Sequence, residues 1–315
     1  MAKTVFLFPG QGSQEVGMAR DLFHGDEYFL SLIAQASRIT GEDLARLCLK
    51  GPEKRLANAR FLQPLIVAVS LGYLRRVQEK GIKPDYLLGH SLGEITALAA
   101  AGVISDDLAV VMAAQRGALM DEAAQLCDGA MMAVSAQVND IEALIEALGL
   151  SNQVFISNIN SPEQIVLSAD KTSLSIMSSR IHAQGGKYKM LNIAGPWHSP
   201  YMASAYEKFK VWAKTLILQE PCTPIIFNAM AKPESNPEKI KEYITVQMKS
   251  PVHFKQCMEY LHREPVETFL EIGPGRVLSG LVRANGFMQG TKVFCVNDLR
   301  GVDNAARELS VSRDL

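Results

Sequence analysis

The chain has 315 residues, 48 % hydrophobic and 21 % charged, a balance that excludes wholesale disorder. At roughly 150 residues per domain it holds two domains, or one large domain with an insert. Thirty-two Lys and Arg against 33 Asp and Glu leave a formal charge of −1, so no global basic excess draws the protein to nucleic acid or to an anionic membrane.

The opening MAKTVFLFPGQG breaks at Pro9 and Gly10, too early for a signal peptide. It reads as a strand over 4–8, a Gly-rich turn, and a helix from about Ser13. Residues 61–78 read as a long buried helix with Pro64 in its first turn. The longest apolar stretch, 61–74, contains Gln63 and Pro64 and is too short to cross a bilayer. A short apolar run, Tyr86-Leu87-Leu88, meets Gly89-His90-Ser91-Leu92-Gly93, and an Ala-rich helix follows from Glu94. Short apolar strands alternating with longer helices predict parallel pairing and an α/β fold.

The pattern then changes. A strand over 130–134 and a helix over 140–148 precede strands over 154–158 and 164–168, joined around Asn160-Ser161-Pro162. A helix over 173–183 and a strand over 187–193 complete a βαββαβ order, that of a ferredoxin-like unit. Strands over 225–228 and 268–272 rejoin the first sheet. The predicted organisation is therefore a hydrolase-like parallel-sheet domain, 1–126 and 196–315, interrupted by a ferredoxin-like α+β insert, 127–195. Cys48, Cys127, Cys222, Cys257 and Cys295 are widely spaced and form no CxxC pair. They read as reduced, mostly buried thiols of a cytoplasmic protein with no structural zinc.

Gly89-His90-Ser91-Leu92-Gly93 fits the G-x-S-x-G nucleophile elbow, in the strand–turn–helix setting that motif requires. Such a turn projects the Ser91 hydroxyl into a cleft at the positive end of the following helix, where backbone N–H groups meet a developing oxyanion. An ordinary serine in a glycine-lined turn would carry the same five residues. Ser91 needs a base, since a serine hydroxyl is almost wholly protonated at neutral pH. The histidines are His24, His90, His182, His198, His253 and His262, without the tight spacing of a zinc site. His90 adjoins the nucleophile, but neighbours in a tight turn point apart. His198, in Gly195-Pro196-Trp197-His198-Ser199-Pro200 after the insert, is the first candidate, and His253 the second. Leu108, Met112, Arg116 and Leu119 share one helical stripe, and a guanidinium on so apolar a face needs either an internal acid or an anionic ligand. Gly10-Gln11-Gly12 and Gly273-Pro274-Gly275 each lack the third glycine of a Rossmann fingerprint.

Phe8-Pro9-Gly10-Gln11-Gly12-Ser13-Gln14, Gly89-His90-Ser91-Leu92-Gly93-Glu94, Gln115-Arg116-Gly117, Asn160-Ser161-Pro162, Pro196-Trp197-His198-Ser199, Pro251-Val252 and Glu271-Ile272-Gly273-Pro274-Gly275 stand in one order along nearly the whole chain. Together they resemble the malonyl-CoA:acyl-carrier-protein transacylase family, which includes the acyltransferases of fatty-acid and polyketide synthesis. The resemblance implies malonyl transfer from malonyl-CoA to the pantetheine thiol of a phosphopantetheinylated acyl carrier protein. Ser91 would carry the acyl group and His198 would be general base and acid. The N–H groups of Gln11 and Leu92 would form the oxyanion hole, the main-chain carbonyl of Gln247 would orient His198, and Arg116 would bind the malonyl carboxylate. Trp197 stands where many malonyl-selective members carry Phe; it either lines the acyl pocket or packs the domain junction. No metal and no bound cofactor are implied; the coenzyme A thioester is substrate. Lys187-Tyr188-Lys189, Arg75-Arg76 and Lys83 could meet an acidic carrier protein, or be solvated surface. The rival readings are an acyl hydrolase that clears synthase carrier domains and a noncatalytic carrier-docking module.

Overall fold

From Val5 to Phe8 the first strand is buried at every position, as expected where helices cover both faces of a parallel sheet. It belongs to a computed structural model that describes residues 2–193, 195–287 and 290–311. The parts of the predicted domain spans at 1, 194, 288–289 and 312–315 lie outside the described residues. In chain order the strands are β1 Lys3–Phe8, β2 Tyr86–Gly89, β3 Gly129–Ser135, β4 Phe155–Ser161, β5 Gln164–Asp170, β6 Lys187–Met190, β7 Ile225–Phe227, β8 Lys232–Glu234, β9 Val266–Ile272 and β10 Lys292–Val296.

Six of these make one sheet in the order β10-β9-β1-β2-β7-β8, parallel throughout except for the antiparallel edge pair β7–β8. The other four make a separate antiparallel sheet, β4-β5-β3-β6. With helices Val138–Ala147 and Lys171–Ala183 between its strands, that sheet has the ferredoxin-like order. It keeps its own apolar core, including Met132, Ile141, Ile165, Leu167, Leu174 and Met177. Sequence order and sheet order thus agree with an α/β fold carrying a ferredoxin-like unit.

Helices Ala59–Glu79 and Asp106–Gln125 cross close to the centre of the molecule. Gly117 permits the approach: a Cβ there would lie 2.3 Å from the carbonyl oxygen of Ala59. Its neighbour Arg116 is thereby delivered to Gln63, one turn into the facing helix.

Several predicted elements differ in detail. No helix starts at Ser13. Residues 11–25 run as successive turns, with Gly12, Gly17, Ala19 and Gly25 at positive φ, and the first helix is Glu27–Thr40, capped by Asp26. Asn58 caps the long helix two residues earlier than expected, so Pro64 sits in the second turn. Asn160 and Ser161 finish β4, and the turn falls at Pro162-Glu163. β6 ends at Met190, three residues short of the expected bound. All five cysteines are free, but only Cys48 and Cys257 are buried. No helix among the described residues is long and apolar enough to cross a membrane.

Candidate active site

The turn after β2 is shaped by two close approaches. A Cβ on Gly89 would lie 2.1 Å from the backbone carbon of Gly93, and one on Gly93 would lie 2.0 Å from the carbonyl oxygen of Phe8 in β1. With both glycines in place, Ser91 takes a left-handed φ of 52° directly before helix Gly93–Ala100. Asn228, just past β7, ties the turn from both sides. Its Oδ1 accepts the Ser91 N–H at 2.7 Å, and its Nδ2 donates to the Gly89 carbonyl at 2.7 Å.

His198 is also left-handed, at φ 57°. Its Nε2 lies 2.6 Å from Ser91 Oγ, and its Nδ1 lies 2.8 Å from the Gln247 carbonyl oxygen. A carbonyl only accepts, so Nδ1 carries the proton and Nε2 turns its lone pair to the hydroxyl. His198 is only 4 % exposed. Burial first, and the Arg116 cation second, depress its pKa to about 3 against the pull of the Gln247 carbonyl. The imidazole is therefore neutral at neutral pH. The His198 loop hangs on the four-stranded sheet, where Ser168 Oγ donates to the Trp197 carbonyl at 2.7 Å. The Gln247 segment is stitched to the same sheet: Val252 N–H donates to the Ser157 carbonyl, and Ile159 N–H to the Val252 carbonyl, both at 2.9 Å.

Arg116 is 2 % exposed, and among the described residues no carboxylate touches it. Its guanidinium donates to neutral acceptors: Nη1 to Gln63 Oε1 at 2.9 Å, Nη2 to Gln247 Oε1 at 2.9 Å and to Ser91 Oγ at 3.1 Å. Burial lowers its pKa to about 10, which leaves it charged at neutral pH. Glu94 is 1 % exposed and accepts from the backbone N–H of Asn228 and from Gln247 Nε2. Burial pushes its carboxyl pKa upward, while those two donors and the Arg116 charge favour the charged form. Gln247 Nε2 also donates to the Ser91 carbonyl at 2.9 Å. An open cleft of 580 Å³ leads to His198, passing Lys249 and Pro251 on one side and Phe155 and Ile156 on the other.

Ser91, His198, Arg116 and Gln247 are thus gathered into one bonded cluster. Gln11 reaches it through its side chain, whose Oε1 accepts from Gln63 Nε2 at 2.9 Å. The loop carrying Gln11 lies against the Ser91 turn, since a Cβ on Gly10 would meet the His90 carbonyl at 2.5 Å and the Leu92 nitrogen at 3.7 Å. Trp197 is not joined to the cluster by its ring. The indole packs under Gly195 in the main apolar core, with Nε1 buried and without a partner among the described residues. His90 turns away from Ser91 to Asn160 Oδ1 at 3.0 Å, and His253 stands at the start of helix Phe254–Leu261. Lys187, Tyr188 and Lys189 lie exposed on β6, an edge strand. Sequence reasoning missed Gln63, Asn228, the role of Glu94 and the use of the Gln247 side chain. Gln63 alone left a signal, as an amide within the apolar stretch 61–74.

An acyl transferase domain model matches residues 5–293. The malonyl CoA-acyl carrier protein transacylase of Bacillus subtilis (strain 168) is 35 % identical over 319 aligned residues, 100 % of this chain and 99 % of that protein. The protein of the same name from Staphylococcus aureus (strain MW2) is 33 % identical, over 96 % of this chain and 98 % of that one. Among solved structures, a malonyl-transacylase in complex with its type II PKS acyl-carrier protein superposes with TM-score 0.91 at 32 % identity, covering 98 % of this chain and 100 % of that one. The malonyl CoA-acyl carrier protein transacylase of Coxiella burnetii has TM-score 0.91 at 28 % identity, covering 97 % of each.

Proposed function

The chain belongs to the acyl transferase family, and from that premise we propose that it moves a malonyl group from malonyl-CoA to the pantetheine thiol of an acyl carrier protein through an ester on Ser91. The observation that carries the reading is Arg116, a buried cation with no acid in contact among the described residues, one hydrogen bond from the candidate nucleophile. An isolated buried charge is costly. A malonyl ester on Ser91 Oγ holds its free carboxylate two bonds beyond the carbonyl carbon, within reach of that guanidinium. An acetyl ester would leave the charge unanswered.

In the first half-reaction His198 Nε2 takes the Ser91 proton as Oγ attacks the thioester carbon. The tetrahedral oxyanion is met by the N–H groups of Gln11 and Leu92. Its collapse breaks the C–S bond, and the leaving thiolate takes the proton back from Nε2. In the second half, the carrier's pantetheine thiol gives its proton to Nε2 and attacks the ester carbon. Collapse then returns both the proton and the alcohol to Ser91. The Gln247 carbonyl keeps Nδ1 protonated throughout, which supports a dyad with a neutral orienter. The thioester supplies the activated acyl group, so the reaction needs no resident cofactor. Five free thiols suit a cytoplasmic enzyme.

Incubation with malonyl-CoA should add a malonyl increment to Ser91, read by intact and peptide mass spectrometry, and phosphopantetheinylated carrier protein should then discharge it. Acetyl-CoA should load far less. An increment lost mainly to water in the presence of carrier would make the protein a hydrolase.

A further inference from the structure

Beneath Ser91, and absent from the reaction just described, lies a buried carboxylate. We propose that Glu94 is a positioning residue that fixes, through the side chain of Gln247, the guanidinium that receives the free carboxylate of the acyl group. The inference rests on the reading of Arg116 above and adds to it what sets that residue's geometry.

Each Glu94 oxygen faces a donor, Oε1 the Asn228 N–H and Oε2 Gln247 Nε2, a pairing that only the ionised carboxylate satisfies at both ends, against the burial that favours its neutral form. This fixes the Gln247 amide in one of its two orientations. With Nε2 on Glu94 and on the Ser91 carbonyl, Oε1 is left for Arg116 Nη2. The flipped amide would set its oxygen against two acceptors and its NH2 against the guanidinium. The Glu94 charge, together with the Ser91 carbonyl, therefore sets whether Arg116 meets an acceptor or a donor.

The spacer matters as much as the charge. A carboxylate bonded directly to Arg116 would occupy the planar fork and answer its charge before substrate arrived. One amide removed, Glu94 still attracts the cation and leaves its donors to neutral groups that an incoming carboxylate can displace. If Glu94 served only to hold the Asn228 N–H, a neutral acceptor would suffice.

Glu94→Gln tests the proposal, because it keeps shape and removes the acceptor at one end. Its NH2 must oppose either the Asn228 N–H or Gln247 Nε2, and relief by flipping Gln247 turns a donor on Arg116. Loading of Ser91 should be followed with malonyl-CoA and with acetyl-CoA. The kcat/KM for malonyl-CoA should fall about 10- to 100-fold, the effect of one unsatisfied buried group, and that for acetyl-CoA by less than about 3-fold. Equal falls for both substrates would mean that Glu94 merely supports the Ser91 turn, and would overturn the proposal. So would an unchanged malonyl-to-acetyl ratio in Gln247→Met, which cuts the same link and remains informative if Glu94→Gln fails to fold. In an Arg116→Ala background, Glu94→Gln should leave the ratio where Arg116→Ala has put it; a further fall would also refute the link. A wild-type enzyme without malonyl preference would instead sink the reading of Arg116 itself.

Discussion

Two turns bring the proposed nucleophile and base together, and they are built differently. Ser91 and His198 share a left-handed backbone, at φ 52° and 57°. The Ser91 turn is held mainly from the six-stranded sheet and the helix that follows the turn: Gly93 lies against β1, Gly89 against the start of helix Gly93–Ala100, and Asn228 bonds both sides, with Gln247 Nε2 on the Ser91 carbonyl and His90 on Asn160 of β4 as additional ties. The His198 loop is held at a distance, by Ser168 of β5, by the indole under Gly195, and by a Gln247 segment that β4 holds in turn. The proposed nucleophile's backbone is set chiefly within the six-stranded sheet, whereas the proposed base's geometry depends on how the four-stranded sheet sits. Changes in that sheet should move the base and leave the nucleophile in place.

The sharpest way to break this contrast is to add one methyl group to each turn. In Gly93→Ala the new carbon would press on a β1 carbonyl oxygen that cannot yield without disrupting the sheet. A loss of about 3 kcal/mol or more is expected, enough to leave little folded protein, read by denaturant unfolding and soluble yield. In Gly195→Ala the clash is with the Trp197 ring, 2.5 Å away, which can shift, and with Ala124 Cβ, 2.7 Å away, which yields only through movement of the loop or of the end of its helix. That variant should fold with a loss of about 1–3 kcal/mol and show reduced kcat/KM, as the indole pushes on the base next to it. Equal stability losses at the two sites would erase the distinction.

Removing the base comes next in size. His198→Ala should lower kcat/KM by about 10²–10⁴-fold, with Ser91 still placed by its own turn. In the native enzyme the pH profile carries the sign. Protonating His198 abolishes the base, and its pKa is depressed from 6.5 to about 3, so activity should survive to lower pH than an ordinary histidine would allow. Arg116→Ala removes the second cause of that depression, and its acid limb, measured with acetyl-CoA, should move up in pH while burial keeps it below 6.5. A limb near 6.5 in the native enzyme would contradict a buried neutral imidazole. Stability follows the same linkage: the unfolded chain protonates below 6.5 and the folded one only near 3, so stability is lost as pH falls through that window. His198→Ala should flatten that loss by about 1.4 kcal/mol per pH unit.

This division also explains what could be read in advance. The elbow was legible because its glycines, its serine and the flanking strand and helix all lie within one short segment. The ferredoxin-like order was legible for the same reason, since βαββαβ is a sequence pattern before it is a sheet. Arg116 stood out by polarity on an apolar helical stripe, but of its partners only Gln63 showed, as an amide interrupting the apolar stretch 61–74. Gln63, Gln247 and Asn228 reach the site from three distant segments, and only tertiary packing brings them to one guanidinium or one turn. Composition hid the false helix at Ser13, where Ala19 takes a left-handed φ that no rule of residue preference assigns to alanine. Family resemblance named the Gln247 carbonyl and was silent on its side chain, because a motif lists positions and not the atoms they present.

The smallest effect reads the strain in each turn separately. A left-handed φ costs an L-residue about 1–2 kcal/mol that glycine escapes, and glycine costs about 0.4–1 kcal/mol through the freedom it adds to the unfolded chain. Ser91→Gly should therefore be more stable than Ser91→Ala by about 0.5–1 kcal/mol, measured by chemical denaturation, because Gly89, Gly93 and Asn228 hold φ whatever occupies position 91. At position 198 the alanine loses both hydrogen bonds that hold the imidazole and is free to relax toward negative φ. Its difference from His198→Gly should be smaller, within about 0.5 kcal/mol of zero. A glycine advantage at 198 as large as at 91 would mean that the long-range contacts hold the base's backbone as firmly as the elbow holds the nucleophile's.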